Sequence, residues 1–247
     1  MNPILGICVN LGLGVALAGG LIYSSVIVTK SLEKSRSAID VKGYAERTVP
    51  AEYATWEMFV VVRDQDLTKA YTNLEKHQEK VLSFLKNVGF KDVQFQVGPA
   101  SKMTIYKRDD NGNQLPDGVS FEVRQSVSLT THELDTLKKA ALSISQLGAE
   151  GIDIDVIPPA YLIKRENLEK IKIDLLAQAT KSARKRANQF AHNSGTTIGR
   201  LVSARQGVFQ VTSEHSTDVN DYGTYDTSSP TKIVKIVVTL SYTTDKG

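Results

Sequence analysis

Cysteine is almost absent from this chain of 247 residues, and the single one, Cys8, lies in an apolar N-terminal stretch. The rest of the chain can therefore form neither an intrachain disulfide nor a cysteine-based metal site. Histidine is scarce too, and the four, His77, His132, His192 and His215, lack the spacing that places two metal ligands on one face. The sequence predicts no metal site and no disulfide framework.

A strong excess of one charge is also lacking. The formal net charge is +3, and Lys30, Lys34 and Arg36 near the N-terminus account for part of it. Nucleic-acid binding depends on a concentrated basic surface, which this nearly neutral body does not have, so we expect no nucleic-acid partner. The contents of 41% hydrophobic and 23% charged residues are typical of a globular chain and argue against extensive disorder.

Recognisable catalytic motifs are missing as well. The sequence holds no Gly-x-Ser-x-Gly nucleophile elbow and no glycine-rich phosphate loop. Asp109, Asn111 and Asn113 mimic the first ligands of a calcium loop, but Gln114 and Ser120 stand where such a loop needs glycine and glutamate. We therefore predict no catalytic residue and no cofactor.

One long uncharged run is present, at residues 4–28. As a helix it would extend roughly 37 Å, enough to cross a bilayer core. We predict a transmembrane signal anchor over residues 1–30, followed by a polar linker at 31–37. A cleaved signal peptide is the alternative, since Ala16-Leu17-Ala18 resembles a cleavage site. Positive charges flank only the C-terminal side of the run, so the positive-inside rule alone places the body in the cytoplasm.

The remaining residues, 38–247, alternate between strand and helix patterns. A two-residue period at 39–46 and an apolar run at 53–63 predict two strands. Helical spacing, with Asp66 as N-cap and Gly89 as terminator, predicts a helix after these two strands. Further strands are predicted at 93–107, 119–130, 152–157, 201–211 and 233–243. The order predicts an α+β fold, with a largely antiparallel sheet or sheets and helices packed on one face, behind one N-terminal transmembrane helix.

Two more helices are predicted in the second half. Thr130 and Glu133 have capping-box spacing, which indicates a helix that ends at Gly148. A longer helix at 166–193 carries an apolar stripe. Its members are Leu168, Ile171, Leu175, Ala179, Ala183, Ala187 and Phe190.

Two surfaces are candidates for binding. The loop at 212–230 is long and polar, and its residues Asp218, Asp221, Tyr222 and Tyr225 are the candidate partner contacts. The same composition also fits a solvated loop. On the long helix, Lys181, Arg184 and Lys185 form a basic cluster that is a candidate anion contact or, alternatively, the solvated face of that helix.

Several stretches together resemble the SIMPL-domain family of bacterial envelope proteins, many of them signal-anchored. The resemblance covers roughly residues 38–244. It rests on residues 41–47 (VKGYAER), 50–52 (PAE), the strand around Trp56, 84–90 (FLKNVGF), 177–184 (AQATKSAR), 190–191 (FA), 194–195 (SG), 198–199 (IG) and 204–207 (ARQG).

The resemblance implies an extracytoplasmic α+β domain that tends to oligomerise, is associated with envelope and oxidative stress, and has no established activity or catalytic residues. It places the body outside the cytoplasm, against the charge rule. We therefore expect a non-enzymatic, single-pass inner-membrane protein whose periplasmic domain acts through homo-oligomerisation or partner binding. The alternative is an enzyme or small-ligand-binding protein with an unrecognised site.

Overall fold

A computed structural model describes residues 20, 22–25, 38–90, 95–214, 216 and 220–246. Gly20 and residues 22–25 are helical, while the rest of the predicted anchor and the linker at 31–37 lie outside the described residues. Among the residues that are described, no helix is both long and apolar enough to cross a membrane.

The body alternates strands and helices along the chain. Its strands are β1 (Ala38–Pro50), β2 (Tyr53–Asp64), β3 (Phe95–Val97), β4 (Ser101–Arg108), β5 (Gln114–Thr131), β6 (Asp153–Val156), β7 (Ala160–Leu162), β8 (Thr196–Gln206), β9 (Gln210–Ser213), β10 (Thr224–Tyr225) and β11 (Thr231–Lys246). Its helices are α1 (Leu67–Val88), α2 (Leu134–Ser143), α3 (Ser145–Ala149) and α4 (Arg165–Asn193). The predicted α+β class is confirmed.

Helix α1 begins and ends where its sequence signals place it. The Asp66 carboxylate accepts hydrogen bonds from the backbone N–H groups of Thr68 at 2.8 Å and Lys69 at 3.2 Å. Gly89 ends the helix at a φ of 137°, a conformation that favours glycine. Local cap chemistry is sufficient to define both ends of this helix.

The second predicted helix begins later than its capping-box spacing indicates. Strand β5 continues to Thr131, and Thr130 is paired with Thr55 of β2. The Thr131 hydroxyl accepts from the backbone N–H of Glu133 at 3.0 Å, and the helix starts at Leu134 without a side-chain cap from Glu133. The predicted capping box is therefore wrong, because pairing with β2 holds Thr130 in the strand.

The chain divides into two compact units, of which the larger comprises residues 47–171 and 210–234. It contains a six-stranded sheet in the order β3-β5-β2-β6, with β4 also on β5 and β7 also on β2, and every one of these pairings is antiparallel. Alternate β2 residues share one apolar cluster with residues of α1, α2 and α3. These include Trp56, Met58, Val60, Ala70, Leu74, Leu85, Leu137 and Leu147.

The other unit comprises residues 1–46, 172–209 and 235–247, and its described part contains β8, most of β1 and β11, and the larger part of α4. Helix α4 approaches β1 closely: a Cβ placed on Gly43 would lie 2.0 Å from the Ala179 carbonyl oxygen and 2.7 Å from the Cβ of Ala183. Of the predicted apolar stripe, Leu168, Leu175, Ala179, Ala183 and Ala187 are buried and Ile171 is half-buried. Phe190 is 61% exposed and Ala191 is buried in its place, since the stripe continues at every fourth residue.

A five-stranded sheet runs in the order β1-β11-β9-β10, with β8 also paired to β11. Strands β8 and β11 pair antiparallel, whereas the short β10 pairs parallel with β9. The single strand predicted at 201–211 is therefore wrong: the ladder ends at Gln206, and a separate strand begins at Gln210.

Candidate interaction surface

The loop that joins β9 to β11, residues 214–230, is called the tyrosine loop below. Of its predicted contact residues, Asp218 lies outside the described residues. Asp221 is exposed, Tyr222 is 94% exposed and Tyr225 is 41% exposed. The loop thus presents one tyrosine almost entirely to solvent.

A short turn holds Tyr222 outward. Its backbone N–H donates to the side-chain oxygen of Asn220 at 2.9 Å, and Gly223 follows with a φ of 88°. The Gln210 side chain in turn donates to the Asn220 carbonyl at 2.6 Å. These bonds tie the turn to β9, so the exposed ring sits on a hydrogen-bonded support.

Tyr225 differs from Tyr222 because its hydroxyl group has a partner within the same unit. That hydroxyl accepts a hydrogen bond from the backbone N–H of Ile163 at 3.3 Å. The next residue, Asp226, donates its backbone N–H to the Val211 carbonyl at 2.8 Å. Tyr225 therefore helps to anchor the loop, whereas the ring of Tyr222 is left exposed.

A buried ion pair closes the far end of the tyrosine loop. Lys232 is fully buried, and its ammonium group donates to the carbonyl oxygens of Asp226 at 2.5 Å and Ser229 at 2.9 Å. One oxygen of the Asp226 carboxylate lies 3.4 Å from the same nitrogen. Burial of an unpaired charge is costly, so the carboxylate and the two carbonyls account for a lysine at this position.

The pKa values of Asp226 and Lys232 are both shifted. Burial raises the pKa of the Asp226 carboxyl, but hydrogen bonds from Ser228 and Ser229 and the charge of Lys232 outweigh it and hold that pKa well below its usual range. Burial lowers the pKa of Lys232, against the opposing effect of the Asp226 charge. Lys232 was not predicted as a site residue. It occupies the same face of β11 as the buried Val234, two residues on, and this two-residue period is visible in the sequence.

The basic cluster of α4 lies on the exposed side of the helix. Lys181, Arg184 and Lys185 are all exposed, and Lys185 lines an open groove of about 640 Å³ between α4 and β1. Lys181 and Arg184 do not line that groove. The structure therefore does not gather the three predicted residues into one anion site.

Other residues besides Lys185 line the groove. Its lining adds Arg186 and the exposed Phe190 from α4, and Asp40 and Lys42 from β1. Arg186 donates from Nη1 to the Lys42 carbonyl at 3.1 Å. Because an acidic side chain and an aromatic ring share the groove with the cations, it suits a mixed protein surface better than a free anion.

The histidines remain apart. His132 bonds through Nδ1 to the Glu52 carbonyl at 2.7 Å, and burial, helped by Lys80, lowers the pKa of His77. His192 lies in the last turn of α4, and His215 is outside the described residues. Within the described part of the chain, no group of three or more histidine, cysteine, aspartate or glutamate residues is placed to hold a metal ion.

Comparison with known families agrees with the sequence motifs. The pattern of the SIMPL family, described as a protein of unknown function (DUF541), matches residues 39–243. The chain belongs to the SIMPL family. The family description assigns no activity, and no curated protein matches this SIMPL chain.

Solved structures resemble the SIMPL chain only distantly. A de novo designed protein, Foldit4, is 18% identical over 43% of this chain and 94% of its own, with a TM-score of 0.25. An amidase of the hydantoinase/carbamoylase family from Burkholderia phymatum is 11% identical, with a TM-score of 0.32, and the match covers 49% of this chain but only 32% of the amidase. The regulatory subunit of aspartate kinase from Thermus thermophilus is 12% identical over 80% of this chain and 88% of its own, with a TM-score of 0.21. Similarity at this level carries no argument about function.

Proposed function

We propose that this SIMPL protein is a non-enzymatic, membrane-anchored envelope protein whose periplasmic body acts by self-association or by binding a partner protein. The observation that carries the proposal is the Tyr222 ring, which is 94% exposed on a turn that is hydrogen-bonded to β9. Tyrosine is enriched at protein interfaces, where its apolar ring is buried while its hydroxyl stays hydrogen-bonded. An exposed ring on a preorganised support suits that role, because little ordering remains to be done on binding.

The surroundings of Tyr222 favour binding over catalysis. The neighbouring Asp221 is exposed. The carboxylate of Asp226, whose pKa is strongly lowered, pairs with Lys232 and accepts hydrogen bonds from Ser228 and Ser229. An acid–base mechanism needs a titrating group within reach of a substrate, in a site that excludes water. The ion pair of the tyrosine loop is better explained as structural support for the exposed turn.

Photo-crosslinking in cells tests the contact. A photoreactive phenylalanine analogue in place of Tyr222 should give an adduct of higher mass on irradiation. The same analogue in place of Tyr71, which is 38% exposed on α1, is the matched control. An adduct at twice the chain mass indicates self-association, and one at another mass indicates a different partner. If position 222 gives no more adduct than position 71, the proposed contact is wrong.

The anchor and its orientation form the second part of the proposal. The uncharged run at 4–28 and the family resemblance support a retained helix with the body in the periplasm, where we propose that it serves envelope or oxidative stress tolerance. A reporter enzyme that is active only outside the cytoplasm, fused after Gly247, should be active. If a reporter that works only in the cytoplasm is active instead, the body lies in the cytoplasm as the charge rule predicts.

A further inference from the structure

Strand β1 forms one end of the five-stranded sheet. Among the described residues it is hydrogen-bonded to β11 at one edge, and the order of strands ends with it. It is 13 residues long, and its only proline is the last residue, Pro50. Proteins usually shorten, bulge or guard such edges, because a long open edge is a template for another strand.

One backbone carbonyl of β1 accepts a hydrogen bond from a side chain outside the sheet. The Lys42 carbonyl accepts from the guanidinium group of Arg186 at 3.1 Å. A charged side chain at a strand carbonyl is a common guard of an open edge. A groove open to solvent lies beside Asp40, Val41 and Lys42.

The exposed face of β1 is self-complementary in the register that pairs its whole length. Asp40, Lys42, Tyr44 and Glu46 are exposed, and the residues between them face the interior. If two copies pair antiparallel about Tyr44, each Lys42 lies opposite a Glu46 of the other copy, and Tyr44 lies opposite Tyr44. This register also pairs the strand along its whole length, because Ala38 of each copy lies opposite Pro50 of the other. Opposite charges and aromatic residues are the cross-strand pairs that stabilise a sheet.

Two of the neighbouring registers bring like charges into opposition. Pairing about Gly43 places Asp40 opposite Glu46, and pairing about Lys42 places that lysine opposite itself; like charges in direct opposition destabilise a sheet. Pairing about Val41 opposes Asp40 and Lys42 but engages only residues 38–44. Strand β4, which carries Lys102, Lys107 and Arg108, is too uniformly basic to pair with itself.

We propose that a second copy of this chain pairs antiparallel along the open edge of β1, in the register centred on Tyr44. The inference rests on the proposed function, since it names the surface through which self-association occurs. The occupant is the same chain because the charges of the strand complement one another in the register that pairs its full length.

Disulfide trapping in the full-length chain tests the register. In a Cys8→Ser background, Tyr44→Cys should form a covalent dimer on mild oxidation, because directly opposed residues lie about 4.5–5.5 Å apart at Cα, within disulfide range. Lys42→Cys is the matched control: two copies of residue 42 would be four positions apart along the strands, about 13 Å, and should not bond. Equal trapping at both positions, or none at position 44, overturns the register.

Charge reversal tests the β1 interface separately from the proposed function of self-association. Lys42→Glu and Glu46→Lys should each weaken self-association of the full-length chain in detergent by about tenfold, and the double reversal should restore it. If the chain associates but neither reversal changes its dissociation constant, the β1 edge is not the interface, while self-association itself stands. If the unaltered chain stays monomeric at the highest concentration reached, both proposals fail.

Discussion

The contact between Gly43 and α4 predicts that adding one methyl group will destabilise the protein. A Cβ at residue 43 would lie 2.0 Å from the Ala179 carbonyl oxygen, well inside the 3.0 Å below which real Cβ atoms essentially never approach a neighbour, and 2.7 Å from atoms of Ala183. The obstacle is backbone on a regular helix, so no side-chain rotation relieves it. Overpacking of this kind costs typically about 1–3 kcal/mol, and a clash with backbone places Gly43→Ala at or above the upper end of that range.

The chain provides a matched control with the opposite expected sign. Gly148 lies inside α3 with negative φ, and a Cβ placed there meets no heavy atom within 4 Å. Alanine is favoured over glycine in a helix by roughly 0.5–1 kcal/mol, so Gly148→Ala should be neutral or slightly stabilising. Urea unfolding followed by circular dichroism measures both variants. If Gly43→Ala is no more destabilising than Gly148→Ala, the close approach of β1 and α4 is wrong.

Two further predictions concern α4 and the buried ion pair. Ala183→Leu should lower the melting temperature by several degrees, because Ala183 is fully buried. Lys185→Ala, on the exposed side of α4, should change the free energy of unfolding by less than about 0.5 kcal/mol. If Lys185→Ala destabilises the protein more than Ala183→Leu does, the assignment of the two helix faces is inverted. Asp226→Asn should destabilise by about 3–5 kcal/mol, because Lys232 would be left as a buried charge without its counter-ion, and Lys232→Met should cost less. The pKa of Asp226 is depressed in the folded state, so the ionised carboxylate stabilises the fold above the unfolded pKa of about 3.9, and this stabilisation is lost as the pH falls below that value. Free energies of unfolding measured from pH 5 to pH 2 should therefore fall more steeply for the wild type than for Asp226→Asn. Parallel pH curves for the two proteins would show that Asp226 is not held ionised by the fold.

The parts of the fold that depend on local chemistry were predictable. The caps at Asp66 and Gly89 bound α1 at the expected residues, and the alternation through β1 matches its exposed and buried faces. The every-fourth-residue repeat of alanines in α4 correctly placed Ala179 and Ala183 in the interior. In each case neighbouring residues carry the signal, so no distant contact is needed to interpret it.

Other features depend on long-range pairing and were missed for that reason. Thr130 has the spacing of a cap, but eleven consecutive pairs between β2 and β5 keep it in a strand. The short strands β7 and β10 are defined by their pairing with β2 and β9. Because they contain only three and two residues, they are too short to show a two-residue period in the sequence.

The candidate site was predictable only in outline. The length and composition of the loop at 212–230 pointed to Tyr222, but its anchoring to β9 and to Lys232 involves hydrogen bonds that no spacing rule describes. Of the basic cluster, Lys185 lines the β1 groove, whereas Lys181 and Arg184 do not. Helical spacing alone does not say which neighbour a side chain will meet.

The central claim is that the body of residues 38–247 itself assembles, and light scattering of this fragment tests it most directly. Circular dichroism would first establish that this fragment is folded. The account predicts a weight-average mass that rises with concentration to at least twice that of the fragment, and that Lys42→Glu shifts this rise to higher concentration. A mass that stays at that of the monomer across the whole concentration range would contradict it.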